Sequence, residues 1–247
     1  MEIKPPFGYK DIAPLNRDQK VRLLAPGDIP AFARGLNSIP ISYTEFALVA
    51  REYPIIFTSA GSTQDFSPVA VLGMVAGENL YDNSGQWASQ VYVPAYVRRF
   101  PFCMTTVTLD KVVQQNRLIC VEKSHIDDKR GEAMFDAKGQ PLPKWKEIET
   151  LLTEYEIDLQ RSREMCGILG DYALLEPFTM QAKFDSGSEP LQLTGMHRVN
   201  ERKIEHLNAS QLKNLVKKGI LSRIYAHLLS LDNFARLLDR KATRKAA

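Results

Sequence analysis

Three observations predict an α+β domain, with an antiparallel-rich sheet packed by one long helix and closed by a C-terminal helical cap. Trp145, Ile148, Leu152, Tyr155, Leu159, Cys166 and Leu169 recur at three- and four-residue steps with charges between them, the period of an amphipathic helix. Short β-branched and aromatic runs follow one another across turn signals, as strands of an antiparallel sheet do. The stretch 201–247 carries helix-period leucines. An all-β body with peripheral helices is the alternative.

The elements follow in chain order. Residues 1–30 are punctuated by Pro5, Pro6, Pro14, Pro26 and Pro30. They read as an extended arm with a short strand near Val21 to Leu24. Ser42 to Ala50 reads as a short helix, with a serine start and Glu45 three residues on. Tyr53 to Thr58 (YPIIFT) and Val69 to Val75 (VAVLGMV) read as strands, the second apolar enough for burial on both faces. Asn83-Ser84-Gly85 marks a hairpin turn. Val91 to Phe102 (VYVPAYVRRFPF) is aromatic-rich with prolines at both ends. Met104 to Leu109 and Arg117 to Glu122 read as strands joined by a polar turn. Met134-Phe135 reads as a short strand before a turn at Asp136 to Gly139. The long helix is expected over Lys144 to Leu169, with Pro143 at its start and Gly170 just past its end. Phe178 to Phe184 and Leu191 to Val199 read as strands with Ser186-Gly187 in the turn. Asn208 caps a helix through Lys218, Gly219 stops it, and helices follow over Ile220 to Leu229 and Leu231 to Asp239.

Composition limits the function classes. The 247 residues are 44% apolar and 25% charged, which suits one folded domain over 1–247: an α+β body over 1–200 and a basic helical subregion over 201–247. The longest apolar-leaning run, Phe66 to Gly77, is far short of the roughly 20 residues of a spanning helix. No membrane insertion is expected. MEIKPPFGYKDIAPLNRDQ places prolines and charges where an export signal needs an apolar core, so a cytoplasmic location is expected. Cys103, Cys120 and Cys166 are widely spaced and without a CxxC pair, which reads as buried thiols rather than a disulfide or zinc framework. Residues 201–247 hold 11 basic and 4 acidic residues, so +7 against −4 for the remainder. Yet Lys213, Lys217 and Arg223 are spaced as a solvated face, and Ile220, Ile224, Leu228 and Leu231 as core. A plain solvated face is the first reading of that pattern, an acidic protein partner the second and DNA the last.

No complete catalytic constellation is present. GxSxG, Walker A and GxGxxG are all missing, and Gly73 to Gly77 has neither the lysine nor the spacing for phosphate. His125-Ile126-Asp127 is the one enzyme-like pattern. On an extended strand both side chains would share a face, and His197, His206 or His227 would complete a non-haem iron(II) triad. The competing reading is a solvated turn over Asp127 to Arg130. The strongest binding candidate is the aromatic and arginine cluster: Trp87, Tyr92, Tyr96, Arg98, Arg99, Phe100 and Phe102, with Glu78 and Asn79 just before. Arginine beside aromatic faces is a common recognition surface and reads carboxylates in bidentate fashion. The competing reading packs the rings inside and ties the arginines to Glu45 or Glu52. Adjacent arginines point oppositely on a strand and about 100° apart on a helix, so at most one faces a pocket.

Several stretches match a known family in order along nearly the whole chain. They are YPIIF with the nearby Pro-Val-Ala-Val-Leu-Gly, GENLYDNSGQW, YVPAYVRRFPF, MFDAKGQPLP, Leu174-Leu175-Glu176-Pro177, LTGMHRVNERKIEHL and KKGILSRIYAHLLSLDNFARLL. On these the chain resembles the SapC family of bacterial proteins. The resemblance implies a link to surface-layer or envelope processes, from the locus that names the family, and it supplies no catalytic residue. A peptide-transporter permease shares the name but not the sequence. The resemblance implies an acidic residue, usual in the family, where Asn200 stands, with Glu201 the nearest substitute. The combined expectation is a non-catalytic cytoplasmic binding or accessory protein. Its contact residues are Trp87, Tyr92, Tyr96, Arg98, Arg99, Glu78 and Asn79. Its partner is a protein, a peptide or a small acidic ligand, with no cofactor and no nucleic acid. An iron(II) oxygenase built on His125 and Asp127 is the alternative.

Overall fold

In the computed structural model, which describes residues 2–59, 61, 65–109, 112–182 and 191–246, two antiparallel sheets share one long helix. The chain begins with β1 (Glu2–Ile3), β2 (Ile12–Pro14), β3 (Lys20–Val21) and β4 (Ser38–Pro40). Helix α1 (Phe46–Val49) leads to β5 (Ile55–Ser59) and β6 (Phe66–Val71), and a small hairpin follows as β7 (Asp82–Asn83) and β8 (Gln86–Trp87). Helix α2 (Ala95–Arg98) precedes β9 (Phe102–Leu109), β10 (Val112–Glu122) and β11 (Glu132–Ala133). Helix α3 (Pro143–Asp171) is followed by β12 (Leu175–Ala182) and β13 (Leu191–Val199). The chain closes with α4 (Glu201–Ile204), α5 (Ala209–Lys217), α6 (Ile220–Ser230) and α7 (Asn233–Ala246).

The expected antiparallel sheet is divided into two larger ones, with the two-stranded ribbons β11-β3 and β7-β8 beside them. One runs β12-β13-β5-β6-β4, the other β1-β9-β10-β2. The split arises because the proline-rich arm does not merely wrap the surface: its strands β1 and β2 close both edges of the β9–β10 hairpin. Helix α3 spans both sheets. At 29 residues it is about 43 Å long. Its first half buries Trp145 and Leu152 with Val21, Phe102 and Val121 of the smaller sheet's core. From Tyr155 on it buries Tyr155, Met165, Cys166 and Leu169 in the main core with Ile55, Phe57, Val69 and Leu72. One apolar stripe thus holds two cores together.

Local chemistry sets the element ends. Ser42 and Glu45, the serine start and early acid of the expected short helix, form a capping box, the Glu45 carboxylate accepting from Ser42 N at 2.7 Å and Ser42 Oγ at 2.8 Å. Pro143 opens α3. Gly170 does not end it: the helix runs through to Asp171, and Ala173 is the left-handed residue at φ 50°. The driving contact is the next residue, the fully buried Leu174, whose N–H closes back on Leu169 O at 2.9 Å. Gly219 does stop α5, at φ 69°. The strand expected at Met134-Phe135 lies at Glu132–Ala133, with Phe135 only bridging Pro141. The Ser186-Gly187 turn falls outside the described residues.

Helix α6 is locked to the sheets by buried polar groups. His227 Nδ1 sits 2.8 Å from Ile55 O, and Val199 N donates to its Nε2 at 3.1 Å. The ring is therefore neutral, protonated on Nδ1. Ser230 Oγ accepts from Ile55 N, and Asn233 Nδ2 donates to Ala50 O and Tyr53 O. Asn200 caps α4 by accepting from Arg202 N and donates Nδ2–H to Glu176 Oε2 at 2.6 Å. An acid at that position keeps the cap but loses the donor and opposes Glu176. Among the described residues no helix is long and apolar enough to cross a membrane.

Candidate functional site

The expected contact cluster divides into an interior part and a surface part. Ser84 and Gly85 both have positive φ, at 56° and 96°, so the β7–β8 turn is of the primed type that suits a hairpin. It turns Trp87 inward, to 5% exposure. The indole N–H donates to Tyr53 Oη at 2.8 Å, and the ring stacks on Tyr81. Glu78 and Asn79 are structural in their contacts. Glu78 accepts from Met74 N and pairs with Lys241 of α7, while Asn79 donates to Ala33 O and accepts from Tyr81 N.

The Val91 to Phe102 segment is helical at its centre, where α2 spans Ala95–Arg98. Adjacent arginines therefore diverge by about 100°. Arg98 is exposed. Its guanidinium donates to Val93 O at 3.0 Å and to Tyr92 Oη at 2.9 Å, and lies over the Tyr92 ring. Tyr92 in turn donates to Glu45 Oε1 at 3.0 Å, beside the Ala95 N–H on the same oxygen. Burial, and next the Glu45 carboxylate, push the Tyr92 phenol up to about 12. Glu45 is thus saturated by Ser42, Tyr92 and Ala95. It forms no ion pair with Arg98 or Arg99, the pairing anticipated from sequence.

Arg99 points the other way, at 4% exposure, into a cage of aromatic rings. Its guanidinium carbon lies 4.1 Å from the centre of Tyr96, 4.8 Å from Tyr155 and 5.7 Å from Tyr9. Tyr96 donates its own hydroxyl to Phe7 O at 2.6 Å. Each ring face attracts the cation. No carboxylate among the described residues pairs with Arg99, and both its Nε and the neighbouring Tyr155 hydroxyl are buried without a hydrogen-bond partner.

Both arginines border one open groove of about 430 Å³. Its walls come from three places: the loop Leu23 to Asp28, the α2 segment from Val93 to Phe102, and the first turns of α3 from Lys144 to Leu151. Most of the lining is apolar, with Arg98, Arg99 and Lys144 set against Asp28 and Glu147. The acids are engaged already: Glu147 pairs with Lys144 at 3.3 Å, and Asp28 accepts from Ala25 N and the Gln86 amide. The size and make-up suit a small-molecule or peptide site. Sequence inspection missed the Leu23 to Asp28 wall, Lys144, Tyr9 and Tyr155. Only Tyr155 carried a signal, as part of the long-helix stripe; the return of the arm over α2 is a tertiary event.

The His125 and Asp127 pair is not on a strand, which corrects the expectation of an extended HxD face. His125 ends a 3₁₀ turn (Lys123–His125), with Nδ1 2.7 Å from Arg22 O and its ring on Phe100. Asp127 closes the Asp127 to Arg130 turn: it accepts from the backbone N–H groups of Lys129 and Arg130 and pairs with the Arg130 side chain. Those contacts, the Arg130 backbone bond first, hold its carboxyl below the ordinary range. His227 is spent on Ile55 and Val199. Among the described residues no group of three or more His, Cys, Asp and Glu is placed to hold a metal ion. The cysteines are buried and free, and desolvation raises the thiols of Cys103 and Cys166 to about 12 and Cys120 to about 11.

The basic C-terminal helices show the opposite use of charge. Arg236 donates to Arg51 O at 2.8 Å; Arg244 donates to Asn79 O at 2.7 Å and also to Asp82 O. Arg240 lies over the Tyr81 ring, and Lys241 pairs with Glu78 at 2.5 Å. Arg223 stacks on Tyr43 and donates to Gly219 O. Compared with known proteins, residues 17–237 match the family model described as SapC. No curated protein and no solved structure matches the chain.

Proposed function

This chain belongs to the SapC family, and on that premise we propose a non-catalytic binding role in which the groove takes the acidic group of a protein, peptide or small-molecule partner. One observation carries the proposal. Arg98 is exposed at the rim of an open, mainly apolar groove and is not neutralised by a carboxylate among the described residues, while Arg99 beside it turns its guanidinium into the ring cage. A guanidinium held by neutral partners keeps its charge available for a carboxylate, which it meets in bidentate geometry. Tyr92 holds Arg98 in place, so less side-chain entropy is lost on binding. Trp87, Tyr96, Glu78 and Asn79 act behind the surface, by fixing the hairpin and α2.

The protein works in the cytoplasm, as an accessory to a surface-layer or envelope system. Its three free, buried cysteines suit a reducing compartment. Cell fractionation tests the location. Titration of isotope-labelled protein with a glutamate-rich peptide and with small carboxylates tests the site. The expected amide shifts fall at 23–28, 93–102 and 144–151. Shifts confined to α5–α7, or none with any ligand, would contradict the proposal.

A further inference from the structure

We infer that the groove takes an extended segment of a partner protein that carries two carboxylates with apolar residues between them, one carboxylate meeting Arg98 and the other Arg34. This rests on the binding role proposed above and deepens it, by a second anchoring place and a partner class. The first ground is a second hollow of about 550 Å³ against the same Leu23 to Asp28 loop. Leu23, Leu24, Asp28 and Phe100 line both hollows, so the two adjoin along that loop.

The second ground is where free cations stand. Lys10, Arg22 and Arg34 line the second hollow, all exposed, and none forms an ion pair among the described residues. The Arg34 guanidinium is placed by its neighbour: a Cβ on Gly85 would lie 2.7 Å from Arg34 Nη2. Gly85 O in turn accepts from the N–H of Ile29, part of the hollow's wall. In the first hollow the Arg98 guanidinium donates to Val93 O, part of the groove wall. The two acids of the second hollow are engaged. Asp28 accepts from Ala25 N and the Gln86 amide, and Glu122 from Lys10 N at 3.0 Å and Asp11 N at 3.3 Å. Each hollow thus offers a guanidinium free of any acid, and the shared lining between them offers Leu23, Leu24 and Phe100. Charge complementarity asks for acids at two places and apolar side chains between. A nucleic-acid strand spaces its phosphates evenly and leaves the leucines uncovered. Hollows of this volume are about 10 Å across and an extended chain covers about 3.3 Å per residue, which sets the acids about three to four residues apart.

The test titrates the full chain into fluorescent octapeptides and follows their anisotropy. One peptide holds two glutamates at that spacing with leucine and valine between them. Two others change one glutamate or the other to glutamine, and a fourth has the same residues with the glutamates adjacent. A single-stranded oligonucleotide is the comparison polyanion. The spaced peptide should bind about tenfold more tightly than either single-glutamate version and than the adjacent isomer. Arg34→Gln should reduce it to the affinity of one single-glutamate version, and Arg98→Gln to that of the other. If either variant melts early, the peptide series on the unaltered protein decides alone. Equal affinity for the spaced and adjacent peptides overturns the inference. So does binding of the spaced peptide that ignores Arg34→Gln; if it still weakens in Arg98→Gln, the wider binding role stands. An oligonucleotide that binds more tightly than every peptide also overturns the inference. Failure of every acidic peptide overturns both.

Discussion

The C-terminal helices and the α2 segment both present arginine, but they use it in opposite ways. In α6 and α7 nearly every cation that touches the body ends on a backbone carbonyl, an aromatic face or Glu78. The carbonyls of Arg51 and Asn79 lie in chain turns of the body, and Arg223 also donates to Tyr43 O. The +7 of this region therefore works as adhesive between the cap and the body. At α2, Arg98 and Arg99 are held by tyrosines and border an open groove. Charge density in a sequence does not locate a binding site; what each charge already touches does.

This contrast can be broken from the C-terminal side first. Ile224 is buried between α6 and the sheet, so Ile224→Ala should cost about 3 kcal/mol of unfolding free energy in urea titrations and loosen α7 with it. A loss below about 1 kcal/mol would mean that the cap is not part of the cooperative unit. Acidification is the next lever. Burial holds His227 down to about 4 from its ordinary 6.5. The unfolded chain takes up this proton first, so the stabilisation is full above pH 6.5 and is lost as pH falls towards 4. The difference is about 3 kcal/mol. The fall in unfolding free energy between pH 7 and 4 should be smaller in His227→Gln, and an identical fall would remove the histidine from the account.

Smaller effects sharpen the comparison. Lys241→Ala leaves Glu78 without its cation in a half-covered setting and should cost about 1–2 kcal/mol. Glu78→Gln in the same background should recover part of that loss. Arg98→Ala should lie within about 0.5 kcal/mol of the unaltered protein in stability, because Arg98 is exposed and makes no ion pair among the described residues. A large destabilisation there would make Arg98 another structural cation.

Much of the fold was legible because its cues are local. The α3 stripe, the Ser42–Glu45 capping box, the Asn83-Ser84-Gly85 turn and the Asn208 and Gly219 helix signals all act within a few residues of themselves. The division into two sheets was not legible. It depends on β1 and β2 finding β9 and β10 about a hundred residues away. The end of α3 was misjudged for a similar reason: burial of Leu174 overrides the local preference of Gly170. At the candidate site the sequence marked Arg98 and Arg99 as divergent, whether on a strand or a helix, but could not say that the rings around Arg99 would include Tyr9 and Tyr155. The His125 and Asp127 pattern misled because it was read on an extended strand, whereas a 3₁₀ turn takes His125 and the next turn takes Asp127.

The contrast between spent and available arginines is tested most directly by titrating a glutamate-rich peptide into Arg98→Ala and Arg244→Ala side by side and melting both. Arg98→Ala should weaken binding by about tenfold, the worth of one charge-assisted contact, with its melting temperature nearly unchanged. Arg244→Ala should melt earlier and bind as the unaltered protein does. Equal losses of affinity in the two variants, or a loss confined to Arg244→Ala, would contradict the assignment of recognition to the α2 groove.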